Sequence, residues 1–498
     1  MIPFKSIIQL KRKHNSPLFL QISNQIIELI KDETLRPGSK LPGTRSLSEL
    51  LEVHRKTIIA AYDELQMQGW IEMIPQKGSF INSKIPLLNY RRIEGLEDQT
   101  EKEKTAFQFY KQKEFLAVKP KEDRDGIYID DGICDYRLTP KEDIARIYRN
   151  IIAKKSNLNF LSYDSAHGNP ILRKVLCDYL NKTRGLKIDV ENVLITRGSQ
   201  MGIYLSANLC LRSGDSIIVG ETNYQSANIT FKATGAKLLR VEVDNEGILT
   251  SNIAELCEKN RVKAIYITSH HHHPTTVTLS AERRIRLLNL AETYGFAIIE
   301  DDYDYDFHYS NSPILPLASH DRSGKVIYIG SLCKIIAPVF RIGYLIAPSS
   351  FVDEAAKMRR YIDRQGDSLL ELTFARLIKN GDLDRHIKKV LKIYRERRDL
   401  ICDLLKKECG EYVEFEIPHG GMAIWLRLKP SFSWEDVATM AKKNGLFLPE
   451  PEKYHFSGLN PKGIRIGFAS LNSEEIIRAV RLLKSSLIQM AKQRMIKN

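Results

Sequence analysis

The seven cysteines, at 134, 177, 210, 257, 333, 402 and 409, include no C-x-x-C pair. An odd, scattered set excludes a disulfide framework, argues against a cysteine zinc site and predicts a reducing compartment. No apolar run reaches the roughly 18 residues of a membrane-spanning helix. Met1 to Lys13 lacks the apolar core and cleavage site of a secretion signal. A cytoplasmic protein with no membrane partner is therefore expected. Internal repeats and low-complexity tracts are missing as well. What is present is a globular balance, 43% hydrophobic and 27% charged, which excludes a disordered or collagen-like chain. At roughly 150 residues per domain, the 498 residues allow two to four domains.

Acidic residues are in deficit, and the deficit is uneven. The net charge is +14, and residues 1–92 alone hold 14 Lys/Arg against 8 Asp/Glu. Nearly half the excess in under a fifth of the chain suggests an anionic partner such as DNA.

The same segment is patterned for a compact helical domain. Leu18, Ile22, Ile26 and Ile30 recur at helical spacing, and Arg36-Pro37-Gly38 stops that helix. Ser46 with Glu49 three residues on reads as a capping box opening a second helix. A third helix is expected from about Lys56 to Gln68, with Ile58, Ile59, Tyr62 and Leu65 inward and Gly69 at its end. Two short strands, 70–74 and 79–81, then flank Pro75 to Gly78. This order is a winged helix-turn-helix over residues 1–82. Residues 83–125 are rich in Lys and Glu and read as a charged linker. From 126 to 498 short apolar runs (193–196, 216–219, 264–267, 297–300 and 326–329) alternate with amphipathic segments. Buried strands with helical crossovers mean an α/β domain with a largely parallel sheet. After about 350 the pattern is helical, then mixed, ending in a basic helix from Ser473.

Candidate chemistry collects at strand ends. Lys334 follows a buried strand and Ser331, with Arg341 seven residues on. A lysine in such a pocket can form a Schiff base. Asp301 and Tyr303 close the preceding strand two residues apart, hence on one face. An aldehyde cofactor with a pyridine nitrogen and a phenolic oxygen needs a carboxylate for the first and a donor for the second. Gly198-Ser199-Gln200 joins a strand to a helix, where backbone N–H groups hold phosphate. Tyr224 offers an aromatic face.

The stretch LPGTRSLSELLEVHRKTIIAAYDELQMQGWIEMIPQKGSFI resembles the winged helix of GntR-type bacterial regulators, over about 65 residues from Pro17. The resemblance implies that Arg45 and Arg55 reach DNA. Lys56 and Thr57 sit at the exposed first turn of the recognition helix, and Lys77 at the wing tip; such residues can enter the major groove or contact the backbone.

The lysine, aspartate, tyrosine and arginine set from about Asp131 to Leu487 resembles the aspartate-aminotransferase-like fold that binds pyridoxal 5'-phosphate (PLP). It is closest to the corresponding half of MocR/GabR-type regulators, which join a GntR domain to this fold, and implies a smaller C-terminal α/β subdomain. The resemblance assigns Lys334 to the Schiff base, Asp301 to the pyridine nitrogen and Tyr303 to the phenolic oxygen. Tyr224 is assigned to stacking, and Ser199, Gln200, Ser331 and Arg341 to the phosphate region. Tyr163 matches a tyrosine that reaches the partner subunit's phosphate in such dimers, and Arg465 an arginine that grips an effector or substrate carboxylate. Two positions depart from the pattern. Cys333 stands where a serine usually precedes the lysine. His273, last of four consecutive histidines, replaces an aromatic of the regulators and an asparagine of the aminotransferases. It is a candidate for the effector side of the cofactor, alongside the reading of a solvated loop histidine. Successive side chains diverge, so no metal is expected there.

The expected protein is a PLP-dependent, homodimeric transcriptional regulator of double-stranded operator DNA. It senses a small amino compound, or PLP itself, through Schiff-base exchange at Lys334, and its two states differ toward DNA or RNA polymerase. It is not expected to be a physiological enzyme, although residual aminotransferase-type activity fits the residue set. The alternatives are a working PLP aminotransferase whose DNA domain controls its own gene, and a DNA-binding module with a dead pocket.

Overall fold

The computed structural model describes residues 3–86, 107–109, 125–309, 314–429, 432–450, 454 and 463–497. The chain divides into two compact units, residues 1–111 and 112–498. Most of the charged linker expected over 83–125 lies outside the described residues. Among the described residues no helix is long and apolar enough to cross a membrane.

The first unit contains helices α1 (Leu18–Lys31), α2 (Thr44–Leu50) and α3 (Arg55–Met67), then strands β1 (Ile71–Ile74) and β2 (Gly78–Ile81). The strands pair antiparallel, Ile71 opposite Ile81. Ile22, Ile26, Leu47, Ile58, Tyr62 and Leu65 are fully buried, so the helical spacing read from the sequence is the spacing of the core; Ile59, expected inward, is instead 37% exposed, because it follows Ile58 by one residue and turns off the buried stripe. Two boundaries differ from expectation. Helix α2 begins at Thr44 with Gly43 as its cap, not at a Ser46 capping box. Leu47 N already bonds Gly43 O at 2.9 Å, so the first turn closes before Ser46. Helix α1 ends at Lys31, ahead of Arg36-Pro37-Gly38, where Glu33 takes a left-handed φ of 64°.

The second unit is built on a seven-stranded sheet: β3 (Val193–Thr196), β4 (Ser216–Gly220), β5 (Lys237–Val241), β6 (Val262–Ile267), β7 (Ala297–Asp302), β8 (Val326–Ser331) and β9 (Gly343–Ile346). Their order across the sheet is β3-β9-β8-β7-β6-β4-β5. Only β9 runs antiparallel, to both β8 and β3. Helices Ser199–Cys210, Gln225–Ala233 and Ala281–Tyr294 are among the crossovers. Beyond the sheet, β10 (Val413–Glu414), β11 (Ala423–Leu428) and β12 (Ile464–Gly467) form a small antiparallel sheet. It is flanked in sequence by the long helices Asp382–Cys409 and Ser473–Lys497. This is the α/β subdomain expected at the C-terminus.

Parallel strands put their carboxyl ends on one edge, where open α/β sheets bind ligands. Gly198, Tyr224, Thr268, Asp301 and Lys334 all lie at or just past the ends of β3, β4, β6, β7 and β8. Because β9 is reversed, its start, just after Arg341, reaches the same edge.

Candidate functional site

That edge encloses a cavity of about 640 Å³. Ser199, Gln200, Tyr224, His273, Asp301, Tyr303, Ser331, Lys334 and Arg341 all line it, from positions spread over more than 140 residues. Asp131, Ser226, Thr230, Tyr266, Thr268 and Cys333 also line it, with apolar Ile133, Ile229 and Pro338.

Lys334 Nζ donates to Gly132 O at 2.9 Å. Asp301 is 3% exposed. Its Oδ2 accepts from Tyr266 Oη at 2.8 Å, and its Oδ1 has no partner. Burial, with the nearby carboxylates Asp302 and Asp304, pushes this carboxyl up to about 7 against the opposing pull of Tyr266 and Lys334. An unpartnered carboxylate oxygen at the wall of a cavity suits a heteroaromatic N–H donor. The opposite end suits an anion. Gly198 caps the 12-residue helix from Ser199 with φ 75°, leaving the helix's first N–H groups free. A Cβ at Gly198 would stand 2.9 Å from Arg341 Nη2, so glycine lets the guanidinium reach this turn. Arg341 also donates to Arg197 O at 3.0 Å. Cys333 Sγ donates to Ile342 O at 3.5 Å, so the thiol turns to backbone, while Ser331 Oγ accepts from Cys333 N. The residues present therefore fit an aromatic aldehyde phosphate.

Asp301 also sets a pH dependence. A carboxyl raised in the fold is protonated there when the unfolded chain has already lost its proton. Its contribution is fully present below about pH 4 and is lost as pH rises through about 7. Glu371, raised to about 7 by burial, acts in the same window. Together these two carboxyls should take on the order of a few kcal/mol of stability from the ligand-free protein between pH 4 and 8, opposed below about pH 6.5 by His272, which burial lowers to about 4. Asp301→Asn should flatten that slope, as read by thermal unfolding across the range; an unchanged slope would refute the assignment.

Arg465 lies just behind the cavity wall and is 1% exposed. It donates to Asp131 O at 2.7 Å, Pro274 O at 3.1 Å and Tyr303 Oη at 3.2 Å. Its partners are carbonyls and a hydroxyl, not a local acid, and two of its five N–H groups make no hydrogen bond among the described residues. Tyr303 in turn donates to His271 O at 2.9 Å. Tyr163 is not brought to this cavity; it is 75% exposed, with the Arg364 guanidinium 3.9 Å above its ring.

The four histidines are not a solvated loop. All are buried, each with its own neighbour. His270 Nε2 donates to Ile314 O, His271 Nδ1 to Asp304 and His272 Nε2 to Thr222 O. His273 packs edge-on against Tyr224, ring centres 5.3 Å apart. Among the described residues no group of three or more His, Cys, Asp or Glu side chains is placed to hold a metal ion.

Tyr266 and Asp131 were missed by sequence reasoning. Tyr266 is hidden in an apolar strand run, although its even spacing to Thr268 marks the same face. Asp131 precedes Gly132 in a segment without periodicity.

In the first unit, Arg45, Arg55, Lys56 and Lys77 are exposed, and none forms an ion pair among the described residues. Arg55 Nε reaches Thr44 Oγ1 at 3.3 Å, tying the start of α3 to that of α2. His54 Nδ1 caps α3 by accepting from Lys56 N. Thr57 is half-buried on the first turn of α3, and Lys77 sits in the β1–β2 turn. A helix N-terminus and a hairpin tip thus carry uncompensated cations, as a phosphate-binding surface requires.

Residues 18–81 match the gntR family of bacterial regulatory proteins, and residues 132–483 match aminotransferase class I and II. An uncharacterized HTH-type transcriptional regulator, YdfD of Bacillus subtilis, is 27% identical over 94% of this chain and 96% of its own length. The probable rhizopine catabolism regulatory protein MocR of Rhizobium meliloti is 23% identical over 97% of this chain and 96% of its own. A kynurenine aminotransferase of Pyrococcus horikoshii, solved in complex with PMP, superposes with a TM-score of 0.69. It is 26% identical and covers 74% of this chain and 92% of its own. The chain belongs to the class I and II aminotransferase family and carries a gntR-family helix-turn-helix ahead of it, the arrangement of the MocR-type regulators.

Proposed function

We propose that this protein is a PLP-dependent transcriptional regulator that binds operator DNA through its first unit and senses an amino compound, or PLP itself, in the second. The observation that carries the reading is the pairing of two complete sites in one chain: uncompensated cations on a winged helix, and Lys334, Asp301 and Arg341 around one cavity. Bound PLP supplies an electrophilic aldehyde that a primary amine attacks. Lys334 is the chain's own amine. Asp301 holds a proton at the pyridine nitrogen, and Tyr224 covers the ring. Ser199, Gln200, Ser331 and Arg341 balance the phosphate, and Tyr163 serves that of a second copy. Arg465 receives the effector's carboxylate, with His273 beside it. A homodimer, which the role given to Tyr163 requires, would cover some of the exposed apolar side chains, among them Leu158, Leu161, Val339 and Tyr361. Action in the cytoplasm, and contact with RNA polymerase in one ligand state, complete the proposal.

Arg45→Ala and Arg55→Ala should weaken binding to the operator. A lost base contact costs about 1–3 kcal/mol and relaxes specificity at one position; a lost phosphate contact lowers the salt slope by about one. Footprints and salt titrations unaffected by either substitution would refute the DNA assignment. Efficient turnover of amino and keto acids by the full chain would instead favour the working-aminotransferase reading, since the same residues serve either task.

A further inference from the structure

Among the described residues lining the cavity, Asp131 is the only carboxylate besides Asp301, and the two are unlike. Asp301 is sealed into the sheet, whereas the Asp131 side chain is 45% exposed. Its backbone is fixed from behind, because Arg465 Nε donates to Asp131 O at 2.7 Å. Its carboxylate accepts no hydrogen bond within 3.5 Å among the described residues. Among the described residues the one ionisable nitrogen within 4 Å is His273 Nε2, at 3.9 Å. Burial pulls His273 below its ordinary value, which keeps the imidazole neutral at pH 7. Burial works against the charge on Asp131, but His273, Lys334 and Arg465 nearby hold its carboxyl below the usual range, so it stays ionised. Lys334, the next cation, spends a hydrogen bond on Gly132 O and serves the aldehyde under the reading above.

Three functions thus converge on one short segment. Lys334 marks where an amine reacts, Arg465 holds this segment from just behind the wall, and Asp131 presents a carboxylate that accepts no hydrogen bond among the described residues. Resting on the proposed effector reading, we infer that the effector is a diamino acid, whose second ammonium group pairs with Asp131. The physical ground is discrimination by an unmet partner. An alkyl side chain entering this space strips water from Asp131 and returns nothing. An ammonium of the same size replaces that water with a charge-assisted hydrogen bond. Sites that pair a polar group reject the apolar isostere strongly. PLP alone, as the signal, gives Asp131 nothing to bind.

The test is a spectral titration of the full-length, PLP-loaded protein with isosteric pairs differing only in a terminal ammonium or methyl group. Suitable pairs are 2,3-diaminopropionate with 2-aminobutyrate, 2,4-diaminobutyrate with norvaline, and ornithine with norleucine. For at least one chain length the diamino member should shift the cofactor band at a tenfold or more lower concentration. Asp131→Asn should erase that preference while norvaline-type ligands bind as well or better. Equal or better response to the methyl partner at every length overturns the inference, as does a preference that survives Asp131→Asn. In either case the effector reading stands. If no amino acid of either kind shifts the band, the amino-acid effector falls and takes this inference with it, leaving another amine or PLP itself as the signal. The wild-type pairs decide the matter even if the variant loads poorly.

Discussion

Replacing Lys334 with alanine is expected to abolish covalent retention of PLP. Borohydride reduction followed by peptide mass spectrometry should find the cofactor on Lys334 in the parent protein and on no residue of the variant. The expectation rests on position. Lys334 Nζ stands in the cavity on Gly132 O, with the unpartnered Oδ1 of Asp301 and the guanidinium of Arg341 lining the same space. Non-covalent affinity should survive in part, because the phosphate and ring contacts are made by other residues. A reduced adduct on a different lysine, or none in the parent protein, would remove Lys334 from the site.

Arg465→Ala should weaken the ligand response by roughly one to two decades, since a charge-assisted hydrogen bond is worth about 1.5–3 kcal/mol. A second effect follows from burial. Alanine leaves Asp131 O, Pro274 O and Tyr303 Oη without this donor, and each unmet polar group costs about 1–3 kcal/mol where water cannot enter. The variant should therefore melt several degrees lower as well as respond less. Arg465→Lys separates the two effects, because it keeps the charge but not the planar fork. A titration unchanged in both variants would take Arg465 out of effector recognition and favour PLP as the signal.

The winged helix was legible in outline because its core is local: Ile22, Ile26, Ile58 and Leu65 reach the interior by helical spacing alone. Its boundaries were less so. Ser46 offered a good capping pattern, but Pro42-Gly43 had already closed the turn, and backbone hydrogen bonding outweighed the side-chain signal. In the large unit, five apolar runs announced five buried strands. The other two were masked by composition. Lys237–Val241 is an edge strand with only Leu239 and Val241 buried, and Gly343–Ile346 is a four-residue strand running against its neighbours. Motif resemblance found most of the cavity wall, since Gly198, Asp301 and Lys334 sit at strand ends that punctuate the sequence. It did not find Tyr266 or Asp131, whose roles come from what faces them across the fold. His273 lay between two readings, and burial at 9% exposure excludes the solvated one.

The histidine run has a practical corollary. Four consecutive histidines look like a short affinity tag, yet in the native chain all four are 6–9% exposed and three of them hold separate backbone or carboxylate partners. Nickel chelation needs neighbouring imidazoles that are accessible and free to converge. Untagged native protein should therefore pass through immobilised nickel by this run, and capture should begin only once the segment from Thr268 to Thr276 opens. Retention on the resin, followed against denaturant and compared with fluorescence, would give a local gauge of when the wall of the cavity comes apart.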